Sequence, residues 1–264
     1  MNVIFPFLPE RPAKPRDVGL TMMMDKGLSI GETENFIASA GDYTDLVKLA
    51  FGTGVFAKNI GDKIRLYKEA GISTYFGGTM FEAFIVRGLF DEFRRFLNRY
   101  KVEVCEVSDG SMALPHEEKL EYIRVLAQEI TVLSEVGSKV RGVVLNADQW
   151  VDCMKTELQA GSWKVIAEAR ESGTIGIFRA DGTVNKRLIN QLEKEVGNDR
   201  ILWEAPNKNQ QTWFIKKFGA NVNIGNVATA EVVSLETLRL GLRSDTFFEF
   251  LPETLQRYKQ ISEN

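Results

Sequence analysis

The stretch "KVIAEARESG", Lys164–Gly173, decides the fold. Read with the two-residue period of a strand, one face is Val165, Ala167 and Ala169, small and apolar. The other is Lys164, Ile166, Glu168 and Arg170. A strand between two apolar layers should carry no charge, because burying an unpaired ion costs several kcal/mol. In a closed barrel the two faces part company. One meets the surrounding helices; the other points inward, and polar side chains at the carboxyl ends of the strands emerge in the mouth.

The same division recurs along the chain. The register predicts Val47, Leu49 and Phe51 outward, with Leu46, Lys48 and Ala50 inward. It predicts Ile201, Trp203 and Ala205 outward with Leu202 and Glu204 inward, and Val222 and Ile224 outward with Asn223 inward. Strand candidates are 19–25, 45–52, 72–78, 102–110, 131–137, 163–170, 201–206 and 221–227. Amphipathic helical stretches lie between them, one opening at Pro115 and another running from Pro206 to Gly219. Eight such units fit a single α/β domain, a (β/α)8 TIM barrel of typical length about 250 residues. An open doubly wound sheet would carry a Gly-rich phosphate turn after its first strand, which "MDKGLSIGE" matches poorly. Residues 1–18, with Pro6, Pro9, Pro12 and Pro15, read as an extended arm lying across this chain or a neighbouring subunit, and 247–264 as a helical tail. Arm and tail are the segments through which a homo-oligomer would assemble.

The 264 residues, 44% hydrophobic, suffice for a large core. A net charge of -3 gives no reason to expect nucleic acid or an anionic membrane as partner. No apolar run approaches the ~18 residues of a membrane span, and "MNVIFPFLPE" lacks the features of a signal peptide. Cys105 and Cys153 have no metal or redox spacing and read as buried thiols of a cytoplasmic protein.

Four successive strands each place one carboxylate near the mouth: Glu106, Glu135, Glu168 and Glu204. So many like charges need compensation, either from a hard divalent cation such as Mg²⁺ or from the inward cations Lys48, Lys139, Lys164 and Arg170. A salt-bridge network that merely closes the barrel is the bland alternative. Gly225 and Asn226, in the loop after the eighth strand, occupy a common phosphate position in this fold. Arg239 and Arg243 are further cations, though helix-surface arginines more often pair with neighbouring acids. Ser111 reads as a helix cap and His116, the lone histidine, as a solvated first-turn residue. Acid–base work therefore falls to Lys, Glu or Asp.

Several stretches resemble the phosphosulfolactate synthase family, in order over about residues 11–246. They include "KPRDVGLTMMMDKG" (14–27), "DYTDLVKLAFGTG" (42–54), "GGTMFE" (77–82), "EVSDGSMALP" (106–115), "SEVGSK" (134–139), "AGSWKVIAEARESGTIGI" (160–177), "EAPNKNQQTWFIKKFG" (204–219), "NVNIGN" (221–226) and "LETLRLGLRSDT" (235–246). The resemblance implies a (β/α)8 enzyme that adds sulfite to phosphoenolpyruvate, with Mg²⁺, to give (2R)-phospho-3-sulfolactate. In methanogens this opens coenzyme M synthesis; elsewhere the product feeds sulfolactate or other sulfonates. On that footing Lys139 is expected as the general acid, with Lys48 second. Glu106, Glu135 and Glu168 are metal candidates, and Glu204 is a ligand or orients a lysine. Lys26, Arg170, Lys208, Asn223, Asn226 and the Gly225 backbone would hold phosphate or sulfite. The family pattern leads us to expect two basic residues at the end of the fifth-strand motif; Ser138 occupies the first. A plant heat-stress-associated protein shares the superfamily, so an altered barrel acting as an interaction protein is one alternative. A Schiff-base aldolase using Lys48 or Lys164 is another.

Overall fold

The computed structural model describes residues 3–138 and 145–259. Eight strands form one parallel sheet: β1 Thr21–Asp25, β2 Leu46–Leu49, β3 Ser73–Phe76, β4 Val104–Val107, β5 Thr131–Val136, β6 Lys164–Ala167, β7 Ile201–Glu204 and β8 Ile224–Ala228. The ladder runs β3-β2-β1-β8-β7-β6-β5-β4. Its two ends, β3 and β4, lie against each other, so the sheet curls into a nearly closed (β/α)8 barrel. Around it pack α1 Ile30–Ala40, α2 Ile60–Glu69, α3 Gly78–Ile85, α4 Phe90–Tyr100 and α5 His116–Ala127. The ring continues with α6 Ala147–Ala160, α7 Lys186–Glu195, α8 Lys208–Phe218 and α9 Val232–Arg239.

Local chemistry sets the helix ends. Ser29 with Glu32, Asn146 with Gln149, and Asn207 with Gln210 form capping boxes that satisfy the first free N–H groups of α1, α6 and α8. Pro206 therefore lies just before the cap of α8 rather than inside its first turn. The helix stops at Gly219, whose φ of 86° suits glycine.

The strand faces divide as the period of two predicts. Val47, Val165, Ala167, Ile201, Trp203 and Ile224 pack outward against the helices. Leu46, Tyr75, Val104, Leu133, Ile166 and Leu202 fill the barrel interior. Burying each large apolar side chain contributes about 1.5–3 kcal/mol. Above this apolar floor, towards the carboxyl ends of the strands, the inward residues become charged. Phe51 departs from the expected pattern. β2 ends at Leu49, and Phe51 takes a φ of 56° in the following turn, where its ring is largely exposed beside Lys26.

The proline-rich arm lies along the opposite end, the foot of the barrel, within the same chain. Arg11 donates to Glu236 and to the Gly19 carbonyl, and Lys14 to the carbonyl of Gly41. Arg16 makes two hydrogen bonds of 2.9 Å to Asp45, whose Oδ2 also takes the Thr21 N–H. Arg239, fully buried at the end of α9, donates to the carbonyls of Ala220, Val222 and Leu20. Arm and tail meet where Phe7, Leu8 and Pro9 face Phe250, Leu251 and Pro252. No helix among the described residues is long and apolar enough to cross a membrane.

Candidate functional site

Lys48 stands at the centre of the mouth. Its Nζ lies 3.0 Å from Glu106 Oε2 and 3.4 Å from both Glu135 Oε2 and Glu204 Oε1. Glu106 is further fixed by the Gly78 N–H at 2.5 Å, and Glu204 Oε2 by the Ala169 N–H at 3.0 Å. Glu168 Oε1 accepts the Arg170 N–H at 2.6 Å. Burial opposes the charge on Lys48, but the fields of Glu106, Glu135 and Glu204 outweigh it and hold the ammonium well above its usual range. Burial pushes Glu204 up to about 7 against the opposing pull of Lys48, with Glu135 adding to the rise. Glu135, Glu168 and Glu204 each bring a carboxylate oxygen within 4.8 Å of the others. Three buried acids share one volume beside Lys48. An all-oxygen donor set of this kind fits a hard divalent cation.

These groups line a cavity of about 420 Å³, of small-molecule size, with Arg170, Ser111 and Asn226 on its walls. Asn226 has a φ of 57°, is almost wholly buried, and its Oδ1 has no hydrogen-bond partner among the described residues. At Gly225 a Cβ would lie 2.8 Å from Met22 Cε, so a side chain there would displace the methionine tip. Arg170, φ 49°, is exposed at the rim, and Lys26 pairs with Glu171 beside it. A larger cavity of about 850 Å³ lies at the foot, bordered by Lys14, Arg16, Glu103 and Trp163. Size does not choose between them. The convergent carboxylates do, and they are at the mouth.

The structure thus gathers Lys48, Glu106, Glu135, Glu168, Glu204, Arg170, Gly225 and Asn226, with Lys26 at the rim. Other expected members are elsewhere. Asn223 lies at the foot, bonded to the Ile201 carbonyl and the Leu20 N–H, because β8 begins only after it. Lys164, the first residue of β6, is also at the foot, where it donates to the Asp199 carbonyl over the Trp163 ring. Lys208 opens α8 but turns away to Asp245 at 3.0 Å. Arg239 serves the foot, and Arg243 pairs with Asp245. Lys139 lies outside the described residues.

Ser111 is not a cap. Pro115 precedes α5, and the Ser111 N–H donates to Glu82. His116 is half-buried against α6, its Nε2 2.9 Å from Thr156 Oγ1. Both cysteines are free; Cys105 is buried, whereas Cys153 is only partly so. Burial pushes both thiols up, Cys153 to about 11, which leaves them unreactive.

Sequence reasoning missed three supports of the site. Lys119, buried on α5, donates to the Glu135 carbonyl at 2.7 Å and pairs with Glu157 at 2.7 Å. Gln210 holds the loop after β6 through the Gly173 carbonyl. Glu82 sits against Ser108. The signals were a lysine on the apolar face of α5, the capping box of α8, and the final acid of "GGTMFE".

Fold and site together define a (β/α)8-barrel enzyme with a small, highly charged pocket at the carboxyl ends of its strands. The family model for (2R)-phospho-3-sulfolactate synthase (ComA) matches residues 9–245. The phosphosulfolactate synthase of Bacillus subtilis is 40% identical over 244 residues, 91% of this chain and 97% of that one. That of Methanocaldococcus jannaschii is 42% identical over 235 residues, 87% and 94% of the two chains. The chain belongs to the phosphosulfolactate synthase family. Among solved structures, 3-hexulose-6-phosphate synthase from Salmonella typhimurium superposes with a TM-score of 0.53 at 13% identity, covering 85% of this chain and all of that one; this likeness shows the fold alone.

Proposed function

We propose that this enzyme adds sulfite to phosphoenolpyruvate, with Mg²⁺, to give (2R)-phospho-3-sulfolactate. The observation that carries the proposal is the buried trio Glu135, Glu168 and Glu204 beside Lys48, in a chain of this family. Those three carboxylates would hold the metal, with Glu106 bound to the same lysine. When bound, Mg²⁺ supplies a Lewis acid facing the charge that develops on the substrate carboxylate.

In the reaction the sulfur lone pair forms a bond to C3 of the enol phosphate, and the π pair moves onto C2 and the carboxylate. A proton delivered to one face of C2 completes the product. Arg170, Lys26, the Gly225 backbone and Asn226 would receive the phosphate and sulfite, the two cations standing at the rim and Asn226 on the wall. Lys48, kept charged by its three glutamates, stabilises developing negative charge rather than donating a proton. Proton delivery to C2 is assigned to Lys139. Schiff-base chemistry is disfavoured, since Lys164 is at the foot and Lys48 stays an ammonium. The reading includes a cytoplasmic protein that assembles with copies of itself.

The direct test mixes purified protein with phosphoenolpyruvate, sulfite and Mg²⁺. Sulfite-dependent loss of enol absorbance, with a new phosphorus resonance for the product, is expected. Enol absorbance that persists with sulfite present would refute the proposal.

A further inference from the structure

We infer that Glu82 is a positioning residue for Glu135 and acts through the hydroxyl of Ser108. The inference rests on the metal-dependent reading above and extends it to a side chain of α3 that stands behind the cavity wall. The first turn of α3 is pressed against the end of β4. The Gly78 N–H donates to Glu106, and a Cβ at position 78 would lie 2.4 Å from Ser108 Cβ. Only glycine fits there. Four residues on, on the same face of the helix, comes Glu82, 4% exposed.

Glu82 Oε1 accepts the Ser108 hydroxyl at 2.7 Å and the Ser111 N–H at 3.3 Å. The same Ser108 Oγ is 2.9 Å from Glu135 Oε1, and the Gly110 N–H approaches it at 3.3 Å. Glu135's other oxygen, Oε2, faces Lys48. A hydroxyl carries one proton, so Ser108 shares it in a three-centre hydrogen bond between Glu82 Oε1 and Glu135 Oε1. Glu82 thereby holds Oγ in place, and Oγ fixes one oxygen of Glu135 while the other faces the charged cluster. A carboxyl group otherwise rotates broadly about its last torsion. Buried carboxylates are costly in a helix that needs only apolar residues to pack. Holding a metal-binding acid in one orientation gives this one a purpose, and such outer partners commonly govern metal affinity.

The test is Mn²⁺ binding, read by electron paramagnetic resonance on the whole chain, with thermal melting measured alongside. Ser108→Ala and Glu82→Leu should each weaken Mn²⁺ binding by about 10-fold or more. Glu82→Gln, which keeps an acceptor oxygen for Ser108 and Ser111, should stay within about 3-fold of the parent protein. The double variant Glu82→Leu/Ser108→Ala should bind no more weakly than Glu82→Leu alone, because both act through one contact. Variants that melt earlier yet bind Mn²⁺ normally would overturn the inference, as would fully additive losses. Ser108→Ala removes one oxygen and carries the test if Glu82→Leu does not fold. A parent protein that binds no Mn²⁺ would overturn the metal reading itself, and this inference with it.

Discussion

The two ends of the barrel handle charge in opposite ways. At the foot the buried cations have dedicated acceptors: Arg239 has three carbonyls, Arg16 has both oxygens of Asp45, and Lys164 has the Asp199 carbonyl. At the mouth Lys48 is shared among three glutamates, a fourth acid stands beside them, and Asn226 and Arg170 are held at positive φ. The foot is arranged for cohesion. The mouth gathers buried carboxylates and left-handed backbone around one cavity, an arrangement that clusters at functional sites.

Predictions follow from this contrast in order of size. Chelation should abolish turnover and Mg²⁺ restore it; activity indifferent to chelator would remove the reason for the acidic cluster. Arg239→Met should lower stability by about 3–5 kcal/mol, because three buried carbonyls lose their donor. Its kcat, in the fraction that folds, should be unchanged; a lost kcat with normal melting would blur the division between the ends. Lys139→Ala should reduce kcat by about 10²-fold or more, the range general acids contribute. Normal turnover would remove Lys139 from the mechanism.

Glu204 gives a pH signature. Its folded pKa is raised to about 7, so the stability it contributes is complete below its unfolded value and is lost as pH rises through about 7. The metal-free protein should melt lower at about pH 8 than at about pH 5, by roughly 2–4 °C per kcal/mol. Mg²⁺ should shrink that gap by favouring the ionised form; a gap unchanged by Mg²⁺ would place the cation elsewhere. The smallest effect is expected at Lys208. Its exposed pair with Asp245 is worth about 0–1 kcal/mol, so Lys208→Ala should leave KM within about 3-fold. A large rise in KM would restore Lys208 to the site.

The barrel was legible because strand-like runs recur eight times and four of them show the same two-face parity, from which the face of Lys48, Glu168 and Glu204 followed. Parity does not encode height along a strand. Asn223 and Lys164 point inward as read, yet both stand at the foot, since β8 starts one residue after Asn223 and β6 starts at Lys164. Phe51 was misread because β2 stops two residues earlier, in a turn that parity cannot foresee. Glu82 and Lys119 lie on helices, where their contacts with Ser108 and with the Glu135 carbonyl depend on which turn meets which strand end. The family resemblance marked "GGTMFE" without saying what its glutamate touches.

The most direct test compares the parent protein with Glu135→Gln, following sulfite-dependent consumption of phosphoenolpyruvate while Mg²⁺ is titrated. Turnover by the parent, and a Glu135→Gln variant that needs far more Mg²⁺ or stays inactive, is the predicted result. Equal turnover by both proteins at equal Mg²⁺ would contradict the assignment of the mouth as a metal-assisted reaction site.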